Sequence, residues 1–157
     1  MKTKNQDPIF YVYIYLDPRK PGDYNYGKLH FDYEPFYVGK GHVKRSEHHL
    51  SKYDTHNKHK SNKIKKIKEL NYIPIILKLF ENISEKSAFR REIFLIKLIG
   101  RGDLNFGPLT NLTDGGEGPS GMITGNKGLT NVERFGEIKA KRIHDIKSQK
   151  SSGKNNS

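Results

Sequence analysis

The stretch EPFYVGKGHVKRSEHHL (residues 34–50) starts as a strand and ends as a basic helix. Phe36, Tyr37 and Val38 are β-formers, and Gly39 and Gly41 punctuate their exit. Lys44, Arg45, His48 and His49 then crowd a segment that reads as a short helix over 42–53. A strand feeding straight into a helix, with a tyrosine at the junction, sets an α/β layer.

The elements around it fit that layer. PIFYVYIYL (residues 8–16) is β-branched and aromatic, a strand in which Tyr11, Tyr13 and Tyr15 alternate with Val12, Ile14 and Leu16. One face is therefore lined with phenols, and Tyr11 and Tyr15 are expected to pack on a helix. Residues 17–35 carry three prolines and read as a turn-rich insertion with room for a short hairpin. Residues 61–70 read as a helix with Ile64, Ile67 and Leu70 inward, and 73–80 as a third strand. A further helix follows, with Ser84 as N-cap and Gly100 as its stop, and 108–121 is loop. The order is ββααβα.

Composition narrows the function. At 157 residues the chain suits one domain with a tail, and 9 Tyr and 8 Phe suffice for a small core although only 33% of residues are hydrophobic. The absence of cysteine excludes disulfides, cysteine-bound zinc and thiol catalysis. No apolar run is long enough to span a bilayer, and MKTKNQDP has no signal-like apolar region, so a cytoplasmic location and no membrane partner are expected. The net charge of +12 points to a polyanion, nucleic acid before acidic lipid. Two blocks hold that charge: residues 40–68 have ten Lys/Arg against two acids, and 124–157 have eight against three.

Within the last helix, Glu92 has Ala88, Phe89, Leu95 and Ile96 at its i±3 and i±4 positions. A carboxylate in that setting needs compensation. Two readings stand equal: a ligand for a hard cation, or a buried salt bridge to Arg90, Arg91 or another arginine. Arg45 and His49, four apart, share a helix face and can hold one phosphate. His42, His48, His56 and His59 read as solvated or phosphate-facing. GKGHVKRS is no NTPase phosphate loop, because its glycines are two apart with the lysine between them.

The core YVY around Tyr13 and the YVG of Tyr37–Val38–Gly39 resemble the paired motifs of the GIY-YIG nucleases. Arg45 with His49 one turn later, Glu92 in REIFLIK and Asn111 in PLTNLTDGG continue the resemblance in order. FYVGKG and GPLTNLTDGGEG resemble phage-encoded homing-type members. The first motif departs from the name, since Tyr11 and Val12 stand where the family has Gly-Ile. The resemblance implies an α/β (α+β) domain over 9–116 with a three-stranded antiparallel sheet flanked by helices, and a basic tail over 117–157. In a phage-encoded member the location would be the bacterial host cell.

It also implies a metal-dependent DNA endonuclease leaving a 5′-phosphate and a 3′-hydroxyl, with a structure-specific or restriction-type nuclease of the same family, or a catalytically inactive DNA-binding protein, as the alternatives. Glu92 would hold Mg²⁺, or Mn²⁺ in its place, and Arg45 would stabilise the transition state. Tyr13 or Tyr37 would orient and deprotonate the water, with Lys40 lending positive charge or binding phosphate. His49 would hold the phosphate, and Asn111 would brace the site. The expected partner is double-stranded DNA, without a small-molecule cofactor. Lys44, His48, Lys60, Lys63 and Lys66 would contact it, as would Lys139, Lys141 and Arg142 on a tail helix near 131–148.

Overall fold

Alternation in the first strand is satisfied by burial on both of its faces. In the computed structural model, which describes residues 9–116, β1 (Phe10–Tyr26) is the centre of a three-stranded antiparallel sheet. β2 (Leu29–His42) and β3 (Ile75–Ile83) flank it in the order β2-β1-β3. The helices α1 (Arg45–Ser51), α2 (Lys58–Glu69) and α3 (Glu85–Ile99) complete the expected order, and a 3-10 turn follows at Gly102–Leu104. Lys139, Lys141, Arg142 and the expected tail helix lie outside the described residues.

Val12, Ile14 and Leu16 face one core with Ala88, Leu95, Ile96 and Ile99 of α3. Tyr11, Tyr13 and Tyr15 face a second core with Phe36 and with Ile64 and Ile67 of α2. Each buried aliphatic side chain contributes about 1.5–3 kcal/mol, so the sheet is held from both sides. Leu70, expected to point inward, is 59% exposed, because α2 ends at Glu69 and Leu70 is its C-cap.

The segment 17–35 is not a turn-rich insertion. It extends β1 and β2 into one long hairpin that turns at Gly27, whose φ is +60°. Tyr24, Tyr26, Leu29 and Tyr33 alternate along it and pack against the α3-side core around buried Phe31. The prolines are absorbed by irregular pairing: Pro21 pairs with Tyr33, with register shifts on either side.

Helix boundaries differ as well. α1 begins at Arg45 because Gly41 and His42 still belong to β2 and Val43 turns the chain at φ 51°. α2 begins at Lys58 because Asn57 caps it, accepting from the Lys60 amide. α3 has the expected cap, Ser84 accepting from the Ser87 amide, and stops at Gly100 with φ +98°.

Candidate active site

Tyr13 lies opposite Gly39 in the β1–β2 register, and Tyr11 opposite Gly41. The Tyr15–Tyr37 pair puts Tyr37 on the same face as the three β1 phenols, its ring 6.2 Å from that of Tyr13 and 5.5 Å from that of Tyr15. Tyr13 is almost fully enclosed, whereas Tyr37 is half-buried at the margin of the cluster. Burial first, then the phenols of Tyr37 and Tyr15, push the Tyr13 hydroxyl well above its ordinary pKa. Tyr37 is raised too, by burial and then by the charge of Glu92. Arg45 opposes the shift in both.

β2 is an edge strand, so its outward backbone groups need partners from elsewhere. These fall on alternate residues, and the site elements supply them. Thr110 donates its amide to the Phe36 carbonyl at 2.7 Å. Asn111 accepts from the Val38 amide at 3.0 Å and donates to the Val38 carbonyl at 2.8 Å, as a neighbouring strand would. Glu92 Oε1 accepts from the Lys40 amide at 3.0 Å. Its Oε2 accepts from the Gly116 amide at 3.1 Å, where the glycines of TDGG close over it.

Among the described residues Glu92 is therefore held by backbone N–H groups and not by an arginine. Arg90 and Arg91 are exposed, and the Arg91 guanidinium lies over the Phe80 ring. Burial raises the Glu92 pKa; the two amides and the charges of Lys40 and Arg45 pull against it. Among the described residues each oxygen accepts one N–H, and a carboxylate oxygen has capacity for more.

Arg45 opens α1 and is exposed, with no ion pair among the described residues. Its charge is felt at Tyr13, Tyr37, His49 and Glu92, so it is the common neighbour of the cluster. Its placement depends on two tyrosines and a serine that sequence reading assigned only to packing or passed over. Tyr11 donates to the Val43 carbonyl at 3.0 Å and accepts from the Ser46 amide at 3.2 Å, and Tyr15 donates to the Ser46 carbonyl. Ser46 is fully buried, and a small polar residue beside Arg45 was the available signal. His49 is half-buried, and burial followed by the charges of Lys60 and Arg45 pushes its imidazole down to about 4. At neutral pH it offers a donor without a charge.

A family model described as a LEM-3-like GIY-YIG domain matches residues 10–120. This chain belongs to the GIY-YIG family. No curated protein and no solved structure matches it. As a GIY-YIG nuclease domain it acts on DNA, and Tyr13, Tyr37, Arg45, His49 and Glu92 converge as described, with Asn111 behind them on the edge of β2. In place of the motif's Gly-Ile stand Tyr11, which ties β1 to the start of α1, and Val12, in the α3-side core.

Three lysines are placed differently from expectation. Lys40 pairs with Val12 in the register, so its side chain faces the α3 side, against Glu85 and over the Phe89 ring, away from the phenols. Lys60 is 1% exposed and bonds Asp54 at 2.8 Å, so it cannot reach a backbone phosphate. Lys63 is engaged by Glu34 at 2.7 Å. Lys44, His48 and Lys66 are exposed.

Proposed function

We propose that this GIY-YIG domain is a divalent-metal-dependent endonuclease that hydrolyses double-stranded DNA to a 5′-phosphate and a 3′-hydroxyl. The observation that carries this reading is the meeting of Arg45, which has no ion pair among the described residues, with a backbone-held Glu92 and the phenol of Tyr37 at one margin of the sheet.

The donors fit a hard cation of the Mg²⁺ kind, with Mn²⁺ as the substitute. Among the described residues no group of three or more acids and histidines is placed to hold a metal ion, and the single carboxylate of Glu92 suits an ion completed by water and phosphate oxygens. Bound there, such an ion would neutralise the scissile phosphate and stabilise the leaving 3′ oxygen. Arg45 presents two parallel donors to the charge that grows on the phosphoryl oxygens. Tyr37, the less enclosed phenol, orients the attacking water and takes its proton, with Arg45 working against the burial and the Glu92 charge that hold its pKa up. Tyr13 supports Tyr37 from below, and His49 donates its N–H to the phosphate. Asn111 keeps Val38 in register, and with it the neighbouring Tyr37.

The resemblance of FYVGKG and GPLTNLTDGGEG to phage homing-type members supports a site-preferring enzyme. The test is cleavage of supercoiled, linear and branched DNA with Mg²⁺ by wild type, Glu92→Gln and Arg45→Ala. Wild-type cutting with both variants binding but inactive is the expected result. DNA left intact under Mg²⁺ and Mn²⁺ rejects catalysis, and cutting restricted to branched DNA rejects the homing type.

A further inference from the structure

Lys60 is the least expected side chain near the site: a fully buried ammonium in a helix whose Lys58, Lys65, Lys66 and Lys68 are exposed. Lysines are almost never fully buried unless paired, and a buried charge is costly. Asp54 Oδ2 compensates it at 2.8 Å, but a solvated pair would have served stability as well. What burial adds is position, for the ammonium stands 4.5 Å from the centroid of the Tyr37 ring. A cation over the negative face of an aromatic ring is attracted to it, more strongly where water is excluded.

The connections around this contact close on Tyr37 itself. Asp54 Oδ1 accepts from the amides of His56 and Asn57, and its backbone is tied to Ser61. Asn57 caps α2 through the Lys60 amide and donates to the Thr110 carbonyl at 2.9 Å. Thr110 and Asn111 in turn bond Phe36 and Val38, the residues on either side of Tyr37. Lys60 thus touches the ring while its own helix cap holds the loop that fixes the ring's backbone.

We propose that Lys60, held by Asp54, is the positioning residue for Tyr37: it fixes the ring and stabilises negative charge as the phenol takes up its role. The ammonium comes from α2 because strand periodicity sends Lys40, three residues past Tyr37, to the opposite face. At Tyr37 the charges of Glu92 and Asp54 raise the pKa and that of Arg45 from α1 lowers it, and Tyr13 and Tyr15 from β1 are in ring contact. His49 of α1 in turn feels Lys60. Arg45 faces substrate, so Lys60 is the cation committed to the protein side. This inference rests on Tyr37 being the phenol that serves the attacking water.

The experiment is a double-mutant cycle on DNA cleavage with Mg²⁺, using wild type, Tyr37→Phe, Lys60→Met and the double variant, with kcat and KM measured separately. Lys60→Met is expected to lower kcat at least tenfold with KM for DNA within twofold. In the Tyr37→Phe background the same change should alter kcat by less than twofold, since the hydroxyl it serves is gone. A purely structural lysine would instead lower kcat by the same factor in both backgrounds, and that result overturns the proposal for Lys60 alone. Wild-type kcat in Tyr37→Phe removes the role of Tyr37, and that of Lys60 with it. A wild-type protein that leaves DNA intact removes the nuclease reading as well. Should Lys60→Met fail to fold, Lys60→Gln, which keeps a hydrogen bond to Asp54, takes its place in the cycle.

Discussion

The ring of Tyr13 fills the space a β-carbon on Gly39 would need: its Cζ and hydroxyl oxygen are both 2.6 Å from that position. Because the two residues are direct cross-strand partners, the glycine of the second motif is the seat of the tyrosine of the first. The reason is steric, not conformational: Gly39 is absent from the positive-φ glycines.

Gly39→Ala should therefore displace a buried, rigid ring. Overpacking of this kind costs about 1–3 kcal/mol, and loss of the Tyr13 position is expected to lower cleavage at least tenfold. Gly41→Ala meets the Tyr11 ring at 3.0 Å and should cost less. Urea unfolding and plasmid nicking of both variants check this. Equal effects at the two glycines would refute the seating of Tyr13.

Asn111 stands in for a strand at the open edge of β2, which makes its amide hard to replace. Asn111→Ala leaves the Val38 amide and carbonyl without partners in a buried setting, at a cost of about 2–4 kcal/mol for the pair. Asn111→Asp keeps the acceptor for the amide and loses the donor to the carbonyl, while adding a buried charge. It should be at least as destabilising as alanine at neutral pH and recover as the pH falls. Melting temperatures between pH 5 and 8 decide it; a pH-independent difference from wild type would contradict this account.

How far the sequence reached depended on the range of the signal. Element order was legible because Tyr11–Leu16 alternates cleanly and because Ser84 and Gly100 cap α3 with residues whose local chemistry admits few alternatives. The long hairpin was not, since Pro18, Pro21 and Gly22 imitate a loop and only pairing with residues 29–35 rescues them as strand. Glu92 was legible as an anomaly, but its partners are backbone amides far along the chain, which carry no side-chain signature. Lys60 was invisible among ten Lys/Arg, because its burial follows from the Asn57 cap and the Asp54 turn.

His49 provides a pH signature. Its imidazole sits at about 4 in the folded protein, against 6.5 ordinarily. Between those values the unfolded chain binds a proton that the folded chain refuses, so stability rises with pH across this window and is lost as pH falls. The contribution is at most about 3 kcal/mol. His49→Gln should flatten that part of the profile. The depressed carboxylates Asp17, Glu34 and Asp54 act at lower pH and are common to both proteins. Urea titrations at pH 4.5, 5.5 and 6.5 measure the difference, and parallel profiles would exclude this role.

Lys63 and Lys66 lie three residues apart on α2 yet should behave oppositely toward DNA. Lys66 is exposed and has no ion pair among the described residues, so Lys66→Ala should reduce the slope of log K against log salt by about 1. Lys63 is committed to Glu34 at 2.7 Å and to the buried Asp17 at 3.8 Å. Lys63→Ala should leave the salt slope unchanged and lower stability by about 1–2 kcal/mol, since two acids lose a shared partner. Binding to a random duplex between 50 and 200 mM salt, with unfolding of the same variants, separates the two effects. A reduced slope for Lys63→Ala would mean that DNA competes with Glu34 for its ammonium, and the hairpin would then belong to the binding surface.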